Sequence, residues 1–143
     1  MNNTKSITEI QNEIVNEFNF FDEWDEKYGY IIELGKKLPV LEEEHKLSEN
    51  IIKGCQSQVW LTSEYSDGII HYKADSDAII VKGLVSLLIR VYDNHTPDEI
   101  LSSDLFFLEK IGMMQHLSPT RSNGLAAMAK QIKLIALAYK AKA

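Results

Sequence analysis

A single cysteine among 143 residues removes the possibility of an internal disulfide framework. It also leaves the chain without the several thiolates, about four ligands in all, that hold an iron–sulfur cluster. Long apolar runs are missing too. The strongest, Leu84 to Ile89, is interrupted by Ser86 and lies between Lys82 and Arg90, far short of the roughly 20 residues that span a bilayer. Clustered positive charge is equally scarce: only Lys36 and Lys37 are adjacent, and the net charge is −6 with a pI near 5.2. A nucleic-acid surface needs grouped lysine and arginine, so that class of partner is not expected. The first six residues, Met1 to Ser6, carry no apolar core of the secretory kind. A protein without membrane spans, in the reducing cytoplasm, is the expectation, and its length suits one domain over residues 1–143.

What is present centres on Ile52-Lys53-Gly54-Cys55-Gln56-Ser57-Gln58-Val59-Trp60. A lone cysteine is most often inert core packing. Here its neighbours are Gly, Gln, Ser and Gln, a polar turn at the mouth of a strand, and Gly54 frees the backbone to turn sharply or act as a hinge beside the thiol.

Around that turn the periodicities alternate between helix and strand. Ile7, Ile10, Ile14, Val15 and Phe18 predict a helix over about 8–18, with Ser6 and Glu9 as a capping box. Asp22 is the expected cap of a second helix, on which Trp24, Tyr28, Ile31, Gly35 and Leu38 share a stripe before Pro39 ends it. Residues 40–50 read as a solvated acidic loop, with Glu42, Glu43 and Glu44 offering at most a weak cation site. After the cysteine, Val59, Leu61 and Tyr65 alternate with Gln58, Trp60 and Glu64. A strand is expected there, turning at Asp67-Gly68 into a second over 69–74, while Ile51 to Lys53 suggest a third. Asp77 is the natural cap of the next helix, which carries Ile80, Val81, Leu84, Leu87, Leu88 and Val91. Pro97 starts a short helix, Asp104 is expected to cap another to about Ile111, and Ser118-Pro119 opens the last. That helix is expected to bury Leu125, Met128, Ile132, Ile135 and Tyr139. The fold class is therefore α+β: about three antiparallel strands packed against several helices.

Arg121, in the first turn of the last helix, opposes the helix dipole. A salt bridge to an acid is the ordinary reason for such a charge; a guanidinium held near the Cys55 thiolate is the chemical one. The four histidines, His45, His71, His95 and His116, stand in no recognised catalytic signature beside the cysteine.

Gly54-Cys55-Gln56-Ser57-Gln58-Val59-Trp60 resembles the signature of the SufE/CsdE family, small sulfur acceptors that partner cysteine desulfurases in iron–sulfur cluster assembly. Trp24 to Tyr28 with Tyr30 to Gly35 and Leu38-Pro39, Asp75 to Ala78 with Ile80 to Leu84, and Leu117 to Leu125 resemble that family in the same order. The resemblance implies a SufE/IscU-like fold and a persulfide carried on Cys55. It further implies a SufS/CsdA-like, pyridoxal-phosphate-dependent desulfurase as partner, a downstream recipient or cluster scaffold, and no cofactor of the chain's own. An arginine recurs at the place of Arg121. Turnover is not expected without the desulfurase, and homodimerisation stays open. Three other readings follow from the residues: a docking or regulatory module using the acidic surface and Trp60, a scaffold-like protein, and a Cys-His enzyme. The cysteine count argues against the scaffold.

Overall fold

In a computed structural model, which describes residues 5–39, 41–52 and 58–142, the expected α+β fold is built around one hairpin and one buried helix. The described elements are α1 (Ile7–Phe18), α2 (Trp24–Lys36), two 3-10 turns (Glu43–His45 and Ser48–Asn50), β1 (Val59–Ser66) and β2 (Ile69–Ser76). Then come α3 (Ile79–Tyr92), α4 (Pro97–Ser102), α5 (Phe107–Lys110), α6 (Met113–His116) and α7 (Pro119–Lys142). None of these helices is long and apolar enough to cross a membrane.

The hairpin forms as the Asp67-Gly68 pair dictates. Both residues adopt positive φ, 53° and 78°, the geometry that matches the twist of a two-residue turn. Ser66 then pairs with Ile69, and the register runs to Val59 opposite Ser76. The sheet has two described strands rather than about three. Ile51 makes a single antiparallel bridge to Trp60, and the 3-10 turn at Ser48–Asn50 carries the backbone off the ladder before a second pair can form. Lys53 lies outside the described residues.

Helix α3 is the centre of the core, with Leu84, Val85, Leu87, Leu88, Val91 and Tyr92 at 1% exposure or less. Helix α2 crosses it at two glycines. A Cβ on Gly83 would stand 2.1 Å from the Ile31 carbonyl oxygen, and one on Gly35 would stand 2.8 Å from the Gly83 nitrogen, so the two backbones touch. Helix α7 buries Leu125, Met128, Ile132 and Ala136 on its inner side, and the Tyr72 hydroxyl donates to the Ile132 carbonyl at 2.8 Å. Ile135 and Tyr139, expected in the core, are only partly covered, Tyr139 by a stack on Tyr65.

Ser6 caps α1 through the capping box its sequence announces. Three other expected caps are corrected. Helix α2 starts at Trp24, with Glu26 reaching back to the Glu23 N–H at 3.3 Å, which leaves Asp22 one residue too early. Asp104 caps nothing: the buried Gln11 side chain, from the other end of the sequence, accepts from the N–H groups of Phe106 and Phe107 at 2.8 and 3.1 Å. The same amide donates to the Asp104 carbonyl at 2.8 Å. The helix it caps is the single turn α5, ending before Gly112, whose φ of 77° separates it from α6. Asp77 is displaced as well. Ala78 occupies the cap position of α3 while the Asp77 carboxylate is used elsewhere.

Candidate functional site

Cys55, with Lys53, Gly54, Gln56 and Ser57, lies outside the described residues, so its sheltering and the Gly54 hinge do too. The described part of the site is the frame from which this segment departs and to which it returns. On one side the Ile52 N–H donates to the Val59 carbonyl at 2.9 Å. On the other, the Gln58 N–H donates to the Asp77 carboxylate at 3.0 Å. The Gln58 carbonyl accepts from the Asp77 N–H at 3.2 Å and from the Ser76 hydroxyl at 2.9 Å. Two peptide groups of Gln58 are thus held by three groups of the segment joining β2 to α3. Ile52 and Gln58, which flank the cysteine segment in the sequence, are both fixed at the end of the hairpin.

Beneath this frame sits an ionic cluster that no local pattern announced. Asp75, 3% exposed, is the cross-strand partner of Trp60. Its carboxylate meets Lys82 at 3.3 Å, Lys46 at 3.5 Å and the Ser76 N–H at 2.8 Å. Lys46 also lies 5.3 Å from the centre of the Trp60 ring. Burial alone would push the Asp75 carboxyl up. The Ser76 N–H, the Lys82 ammonium beside it and the charge of Lys46 outweigh burial and hold it below its ordinary value.

The sign of the consequence follows. A carboxyl lowered in the folded state contributes stability above its unfolded pKa of 3.8, and that contribution is lost as pH falls through the folded value. Glu17, which Arg90 grips in a two-pronged ion pair and holds below 4.5, behaves the same way. Asp93, raised by burial, has the opposite sign and offsets part of the loss. The protein is therefore expected to lose stability on acidification below about pH 4, and Asp75→Asn to show a shallower loss with the Glu17 share remaining. Urea midpoints of both proteins at about pH 6 and pH 3 measure this.

Trp60 does not dock a partner through an exposed ring. Val59, Trp60 and Leu61 are all buried, and Lys46 lies over the Trp60 ring on the face that alternation assigns to solvent. Arg121 is exposed on the first turn of α7. Its N–H donates to the Ser118 hydroxyl at 3.2 Å, and it makes no ion pair among the described residues. His95 is buried, both ring nitrogens lying 2.9 Å from carbonyls, those of Asp93 and Lys5; His116 stacks on Trp24. Both are occupied in packing. Glu42, Glu44 and His45 stand within reach of one cation at an exposed turn, where a hydrogen bond shared with Glu42, and then its like charge, raise the Glu44 carboxyl.

From the sequence, Asp77 reads as a helix cap and Asp75 and Lys82 stand out only within one block of a resemblance. In the structure Ser76 and Asp77 of that block bind Gln58, and Asp75 binds Lys82 and Lys46. The block's partners, Gln58, Trp60 and Lys46, lie on other elements, which is why spacing alone did not reveal these contacts.

Comparison with known proteins bears on the whole arrangement. The family model described as SufE, Fe-S metabolism associated domain, matches residues 12–136. The solution structure of a hypothetical protein from Thermus thermophilus superposes with a TM-score of 0.73. That match covers 89% of this chain and 93% of that one at 17% identity, a likeness of fold.

Proposed function

The chain belongs to the SufE family of Fe-S metabolism, and on that premise we propose that it is a sulfur acceptor and carrier working on Cys55 with a cysteine desulfurase. The Cys55 thiolate attacks the outer sulfur of a persulfide on the desulfurase. The sulfur–sulfur bond breaks, the desulfurase cysteine departs as a thiolate, and the sulfane sulfur remains on Cys55 as its own persulfide. Bonds and electrons balance without an external oxidant, as in thiol–disulfide exchange. The carried sulfur then passes to a recipient for cluster assembly. The same lack of a second cysteine serves this use, since no neighbouring thiol of the chain can attack the persulfide and release sulfide early.

The observation that carries the reading is the position of the sole cysteine. It lies within the matched family region, and both flanks of its segment are tied to the hairpin end through Val59, Ser76 and Asp77. Anchored ends favour a defined presentation of the thiol. Arg121, exposed and without an ion pair among the described residues, is proposed to favour the Cys55 thiolate electrostatically.

The test is turnover. A desulfurase supplied with cysteine and a reductant is expected to form sulfide faster as this protein is added, saturably. The Arg121→Ala variant is expected to stimulate less, most clearly below pH 7 where thiolate is scarce. Unchanged turnover at every concentration contradicts the proposal.

A further inference from the structure

Strand β1 has a free edge, and it faces a groove. The Ile52 N–H reaches the Val59 carbonyl, so the backbone groups of Val59 point away from β2. Strict alternation along a strand puts those of Leu61, Ser63 and Tyr65 on the same side. The Ile51 bridge covers only the beginning of this edge. Among the described residues no backbone group beyond the hairpin pairs with Ser63 or Tyr65. The outer edge of β2, by contrast, is covered: Ile70 exchanges hydrogen bonds with Asn94 and His95, and the Tyr72 N–H donates to Asp93.

The open edge lies in a cavity of about 830 Å³. One wall is the segment from His45 to Ile52, the other is α7 at Lys130, Leu134 and Ile135. These walls leave room for one extended chain and obstruct the approach of a second sheet, which disfavours edge-to-edge pairing with another copy. The α7 wall supplies the chemistry. In a chain of net charge −6, α7 holds Arg121, Lys130, Lys133, Lys140 and Lys142 and no acid. Lys130 makes no ion pair among the described residues, and the neighbouring Leu134 is 48% exposed. On the opposite face of the edge stand Thr62 and Glu64, with Lys73 and His71 across the hairpin; Glu49 belongs to the other wall.

We propose that an extended, acidic segment of a partner protein adds to the free edge of β1 as a further strand. Its backbone pairs with Ser63 and Tyr65. Its acidic and apolar side chains on the inner face meet Lys130 and Leu134, and neutral side chains on the outer face lie beside Thr62 and Glu64. The backbone ladder supplies affinity and the alternate side chains supply selectivity.

The probe is a blocked hexapeptide in which threonine alternates with glutamate and leucine, added to the full chain. Saturable binding is expected, with amide hydrogen exchange slowed at Ser63 and Tyr65. Lysine in place of glutamate in the peptide, or Lys130→Glu in the protein, is expected to weaken binding about tenfold or more. Ser63→Pro removes a donor that faces away from β2, a position where an edge strand tolerates proline, and is expected to abolish binding while the circular dichroism spectrum is kept. Binding that leaves the Ser63 and Tyr65 amides unprotected, or that survives Ser63→Pro, overturns strand addition. No binding at millimolar peptide overturns the assigned occupant. So does protection of Ser63 in peptide-free protein that sediments as a dimer, which would make a second copy the occupant.

Discussion

Replacing Cys55 with serine is expected to reduce stimulation of the desulfurase to nothing while leaving association with it within about twofold, the scale of a surface substitution. Oxygen for sulfur changes little in shape. It removes the nucleophile, because a serine hydroxyl is a weak nucleophile unless a base activates it. Among the described histidines, His95 and His116 are committed to packing contacts. A docking module would behave oppositely and stimulate fully with serine in place. Binding by calorimetry and sulfide formation under single-turnover conditions, run on the same preparations, separate the two accounts. Loss of both activities together would point to a damaged interface rather than to lost chemistry.

The second large effect concerns stability. Gly83→Ala is expected to cost about 3 kcal/mol, at the upper end for overpacking a core. The added Cβ would meet the Ile31 carbonyl at 2.1 Å and the Ile31 side chain at 2.5 Å, and a backbone oxygen cannot rotate out of the way. Helices α2 and α3 must then separate, unpacking Ile31 and Leu84 and shifting the neighbouring Lys82 from Asp75. Greater helix propensity for alanine returns only about 1 kcal/mol. Gly29→Ala, on the exposed side of α2 with nothing within 4 Å, is the control, and it is expected to stabilise by about 0.5–1 kcal/mol. Urea unfolding of the three proteins measures the difference; equal midpoints for Gly83→Ala and the parent would mean the helices do not cross this closely.

The contrast between these glycines explains what could be read from the sequence. Local rules worked in most places where the partner groups are near in the chain, the cap of α2 being displaced by one residue from Asp22 to Glu23. Ser6 with Glu9, the Asp67-Gly68 turn and the apolar spacing of α3 all took their expected form. Rules failed where a distant element supplied the missing group. Gln11 serves α5 across about ninety residues, Asp77 turns to Gln58, and Lys46 buries a tryptophan that alternation left in water. The third strand failed for a related reason, since a single bridge at Ile51 gives way to a 3-10 turn. The cysteine was legible because it is unique in the sequence and stands among polar neighbours. The frame at Gln58 and the ionic cluster beneath it were not, because Asp77 meets Gln58 and Asp75 meets Lys46 only once β2 is paired with β1.

The central claim is that Cys55 carries sulfur. Its most direct test is the intact mass of the protein after incubation with a cysteine desulfurase and free cysteine, beside Cys55→Ser. The account predicts a gain of one or more sulfur atoms, removed by a reductant and absent from the variant. No gain in a protein that still binds the desulfurase would contradict it and leave this chain a docking partner without sulfur chemistry of its own.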